Sequence, residues 1–74
     1  MGTFDIHINI GDNNQTVHFY FTHINQGLSL EDQAVDFDKA VKELNRIYKN
    51  YGRFATATGV IRLFRAFGFE PTVP

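Results

Sequence analysis

Cysteine is absent from this 74-residue chain, which excludes disulfide staples, zinc fingers and thiol nucleophiles. The absence also fits a reducing compartment. Serine occurs once, at Ser29, in a position better explained as a helix cap than as a nucleophile. No stretch approaches the roughly 20 apolar residues of a membrane helix. The N-terminus has no basic region leading into an apolar run, the pattern of a secretory signal. A cytoplasmic protein that does not enter membranes is expected. The glycines at 2, 11, 27, 52, 59 and 68 match neither a phosphate-binding loop nor a dinucleotide fingerprint. Thr58-Gly59 with Arg62 one turn on is a pattern too short to identify a phosphate site. No cofactor and no enzymatic activity are expected.

Basic residues are missing from the first half. Residues 1–38 carry six acids and no lysine or arginine, whereas residues 39–74 carry seven bases and two acids, so a net charge of −1 conceals halves of −6 and +5. A chain this short buries only roughly 60% of the surface its unfolded form exposes. Its core is therefore thin, and self-association is one remedy open to a protein without disulfides.

What the chain does contain is strong periodicity. Phe4, Ile6, Ile8 and Ile10 alternate with Asp5, His7 and Asn9, and Val17, Phe19 and Phe21 repeat the pattern, as strands buried on one face do. Gly11-Asp12-Asn13-Asn14 is the turn between them. A two-residue Asp12-Asn13 turn and a four-residue loop give the same register, in which partner numbers sum to 25. A hairpin over 3–24 follows. Ser29 then caps a long helix, 29–51, with Glu31 and Asp32 in its first turn, an apolar seam of Ala34, Phe37, Val41, Leu44, Tyr48 and Tyr51 widened by Ala40 and Ile47, and Gly52 as its stop. A shorter helix, 56–67, capped by Thr56 or Thr58, is apolar nearly all round except for Arg62 and Arg65. The segment 68–74 is an extended tail that prolines keep from continuing the helix. The fold class is α+β in the order ββαα, one small domain, with two hairpins joined into a four-stranded sheet in a homodimer because a lone hairpin leaves its edges open.

Three groups are candidate sites. Lys39, Lys42, Arg46, Lys49 and Arg53 recur at the 3-4-3-4 spacing of one helical face. Arg62 and Arg65 are expected to extend this stripe into a surface for an acidic protein or for phosphates. The plainer account is a solvated face, with acids early and bases late as the helix dipole favours. Phe64, Phe67 and Phe69, crowded onto a short segment, are expected to form an interface. His7 and His18 oppose each other in the hairpin register with Asp5 and Tyr20 beside them. Two imidazoles and a carboxylate suit a divalent metal, but no further ligand stands at a motif spacing, so no metal is expected. An acid–base role for the pair has no cleft to support it. His23, at the strand's end, is read as a loop residue.

The expected function is a non-catalytic protein-interaction module, a regulator or inhibitor that occupies a surface of a larger protein or nucleoprotein. In size and composition, though not in any motif, the chain is similar to phage and mobile-element inhibitors of host systems such as anti-CRISPR proteins. The alternative is nucleic-acid binding, with the helix pair acting in the manner of a helix-turn-helix. The acidic net balance, the long connection between the helices and the scarcity of polar residues on the second helix count against it.

Overall fold

A computed structural model describes residues 4–10, 15–51 and 56–72, the Tyr51 side chain excepted. Strands β1 (Phe4–Ile10) and β2 (Gln15–His23) pair antiparallel with Phe4 opposite Phe21, Ile6 opposite Phe19 and Ile8 opposite Val17. This is the register that the alternation predicts. The turn at 11–14, the Gly52 stop and Arg53 lie outside the described residues.

The order of elements is ββααβ rather than ββαα. Strand β3 (Phe69–Pro71) occupies what the sequence suggests is a free tail, and it pairs antiparallel with the end of β2, His23 opposite Phe69 and Phe21 opposite Pro71. A three-stranded sheet within one chain, ordered β1-β2-β3, thus stands in place of the four-stranded sheet expected from two hairpins. Gly68 makes the return possible. Its φ of +92° lies in the left-handed region that residues with a Cβ avoid. The Ile24 N–H donates to the Gly68 carbonyl at 2.7 Å, and the Thr72 N–H donates to the Tyr20 carbonyl at 2.7 Å. Proline bars a helix but not an edge strand, where its missing N–H costs no ladder bond.

Both helices lie on one face of the sheet. Helix α1 (Leu30–Tyr51) begins as expected, with the Asp32 N–H donating to Ser29 Oγ at 3.1 Å. Helix α2 (Ala57–Ala66) is capped by Thr56, whose Oγ1 accepts from the Gly59 N–H at 3.1 Å. Phe19, Phe21, Ala40, Leu44, Val60, Phe64 and Phe69 form the buried core. Phe21 stacks on Phe64 at 4.5 Å between ring centroids, and Phe4 stacks on Phe37 at 5.1 Å.

Two expectations about the helices change. The α1 seam is rotated: Ala34 and Tyr48 are exposed, while Gln33 is buried. Gln33 tolerates burial because its Nε2 donates to the Leu28 carbonyl at 3.0 Å. The apolar girth of α2 is used inside the molecule. Phe64 and Phe69 are both 0% exposed within the single chain, so they are core and present no interface, and Phe67 is half-buried against the same cluster. The reason is β3, whose pairing with β2 sets Phe69 among Phe4, Phe21, Phe37 and Phe64.

Candidate binding surface

The face of α1 opposite Ala40 and Leu44 carries Lys39, Lys42, Arg46 and Lys49, all exposed. Core residues and cations alternate along one helix, so burying the first set presents the second on a rigid support. Acids are interleaved with these bases. Lys42 Nζ lies 3.0 Å from Asp38 Oδ2, one turn earlier. The Arg46 guanidinium grips the Glu43 carboxylate, with Nε donating to both carboxylate oxygens at 3.0 and 3.1 Å and Nη2 to Oε1. These hydrogen bonds hold the Glu43 carboxyl below the usual carboxylate range, against a smaller upward push from partial desolvation and with added pull from the Arg46 charge. Lys39 and Lys49 make no ion pair among the described residues.

Arg62 and Arg65 are exposed on α2, and Arg65 Nε approaches Glu70 Oε2 of β3 at 3.3 Å. Arg65 is thereby tied to β3. Nothing in the described contacts joins it to the α1 cations.

The face of the sheet turned away from the helices is polar. His7 and His18 stack there with ring centroids 3.9 Å apart and planes 19° from parallel, and Asp5 Oδ2 lies 3.4 Å from His7 Nε2. Near-parallel rings direct their nitrogen lone pairs along separate planes rather than to one point, which is not a chelating arrangement. Among the described residues no group of three or more His, Asp or Glu converges as a metal site.

His23 is not a loop residue. It ends β2, is 4% exposed, and donates from Nε2 to Asp36 Oδ2 at 2.8 Å while Nδ1 accepts from the Asn25 N–H at 3.0 Å. A signal for this was present: residues 17, 19, 21 and 23 share the inward face of β2 by parity. The sequence reading also missed a groove of about 190 Å³ between β1 and α1, lined by Ile8, Asn9, Leu44, Asn45 and Tyr48. It depends on the rotation of α1, which leaves Tyr48 44% exposed.

Compared with family models, curated proteins and solved structures, the chain matches none. Among the described residues no helix is long and apolar enough to cross a membrane.

Proposed function

We propose that this protein is a non-catalytic interaction module, a small cytoplasmic regulator or inhibitor, that docks the outward face of α1 on an acidic surface of a larger protein. The observation that supports this reading is the rigid row of exposed Lys39, Lys42, Arg46 and Lys49. Exposed ion pairs of the Asp38–Lys42 kind contribute only about 0–1 kcal/mol. Exchanging such a partner for a carboxylate of another protein therefore costs little, and the complementary charge speeds encounter and sets orientation. Self-association belongs to the same reading, since small regulators of this size gain stability from a second copy.

Nucleic acid is the weaker partner. Asp38, Glu43 and Glu70 sit beside the very cations that phosphates need, and each repels a phosphate backbone.

Arg46→Glu combined with Lys49→Glu tests the reading. The double variant is expected to keep its fold by circular dichroism and to lose one protein partner retained by the native chain in affinity capture, with binding restored by reversing charges on that partner. Titration with generic duplex at two salt concentrations is expected to show negligible binding. A log–log salt slope of about −4.5, the signature of five phosphate contacts, would replace the proposal with the nucleic-acid reading. Undiminished capture by the double variant would reduce the stripe to a solvated face.

A further inference from the structure

The outer edge of β1 is a seven-residue strand with no neighbour among the described residues, and the groove beside Ile8 and Tyr48 opens along it. Unpaired edges of this length are templates for another strand. β1 complements itself. The one antiparallel register that pairs all seven residues of two copies places His7 against His7 of the second copy, Asp5 against Asn9, Ile6 against Ile8 and Phe4 against Ile10. Each pairing joins residues of the same face, so apolar meets apolar on the helix side and polar meets polar on the open side. No like charges are opposed.

The helices reinforce this choice of occupant. Phe4 stacks on Phe37, and Ile8 shares the groove with Leu44, so α1 runs in the same direction as β1 beneath it. Two β1 strands paired antiparallel therefore set two α1 helices antiparallel along the same side of the sheet. α1 is net acidic in its first half, where Glu31, Asp32, Asp36 and Asp38 outnumber Lys39, and net basic in its second, where Lys42, Arg46 and Lys49 outnumber Glu43. Antiparallel placement brings the acidic half of each helix alongside the basic half of the other. It also brings the two grooves, each with a half-exposed Tyr48, to face each other across the axis.

We propose that two copies of this chain associate through β1 edges in the His7-centred register, forming a continuous six-stranded sheet. This rests on the self-association named with the docking reading and gives it an interface, and its test, which uses only exposed positions of β1, can fail while the docking of α1 stands. The chain has no cysteine of its own, so single introduced cysteines report the register without background. Directly opposed residues of an antiparallel pair lie about 4.5–5.5 Å apart at Cα, inside the span of a disulfide. His7→Cys is expected to form a covalent dimer on mild oxidation. Asp5→Cys and Asn9→Cys are each expected not to, because each is displaced from its own copy by four residues, about 13 Å along the strand. The variant combining Asp5→Cys with Asn9→Cys is expected to cross-link.

Sedimentation of the native chain is expected to show a dimer at micromolar concentration. Asn9→Asp, which keeps the acceptor for the Thr16 hydroxyl, sets two carboxylate pairs in opposition and is expected to weaken the dimer roughly two- to thirtyfold. A monomer throughout the concentration series, including one whose β1 edge instead takes up a foreign extended peptide, overturns the proposal. So does a dimer in which Asp5→Cys or Asn9→Cys alone cross-links as readily as His7→Cys.

Discussion

A buried imidazole is built into the seam where β2, α1 and the turn at Gly68 meet. Because His23 Nδ1 accepts from the Asn25 backbone it carries no proton, so Nε2 is the nitrogen that donates to Asp36. Asp36→Ala strands that buried N–H and is expected to cost about 1–3 kcal/mol. Asp36→Asn retains an acceptor and is expected to cost much less. Urea denaturation of the two variants checks the ordering, and equal losses would deny the hydrogen bond its role. Gly68→Ala strikes the same seam, since a Cβ there meets His23 Nε2 at 3.2 Å in a left-handed conformation. At the surface, Arg46 holds the Glu43 carboxyl below its ordinary value of 4.5. The folded protein therefore binds that proton less readily than the unfolded chain, and the stabilisation is present above the ordinary value and lost as pH falls through the lower folded value. Glu43→Gln is expected to lower the melting temperature at neutral pH, with the difference closing in acid. A difference that persists in acid would trace the effect to something other than this carboxylate.

At the scale of elements, α2 is held by its cap and its buried ring. Thr56→Ala is expected to destabilise by about 1 kcal/mol through the loss of the bond to the Gly59 N–H. Thr58→Ala, exposed inside the helix, is expected to be nearly neutral, and thermal melts distinguish the two. Phe64→Ala empties the space between Phe21 and Phe37 and is expected to cost about 3–5 kcal/mol. The hairpin makes a different forecast. With His7 and His18 stacked rather than converging, a chelator is expected to leave the melting temperature unchanged. A drop of many degrees on chelation would mean that a bound metal stabilises the native state by mass action.

For the whole molecule the decisive element is the smallest. Small domains are stable by only about 5–15 kcal/mol, and Phe69, fully enclosed among Phe4, Phe21, Phe37 and Phe64, comes from a three-residue strand. Phe69→Ala is expected to remove about 3–5 kcal/mol, a large part of that margin. A chain ending at Gly68 is expected to be unfolded at room temperature, as judged by near-ultraviolet circular dichroism. A folded truncation would show that β1, β2 and the two helices suffice alone. Charge reversal on α1, by contrast, is expected to leave stability nearly intact, because those cations stand on the side of the helix away from the core.

The sequence by itself determined the hairpin, its register and the positions of both helices, because these rest on local physics: period-two and period-3.6 alternation, a turn cluster, and caps at Ser29 and at one of Thr56 and Thr58. It also determined that the α1 cations face outward. Contacts between residues far apart in the chain left no such periodic trace. Three residues ending at Pro71 carry too little pattern to announce a strand, so the role of β3, and with it the burial of Phe64 and Phe69, was settled only by tertiary pairing with β2. The same holds for Gln33 and Tyr48, whereas the parity of β2 already turns His23 inward and only its bond to Asp36 is tertiary. Which flank of an apolar seam turns inward depends on what lies opposite. Here α1 faces inward along the flank where Asp36 meets His23 and Gln33 meets the Leu28 carbonyl, and Tyr48 is left beside the groove.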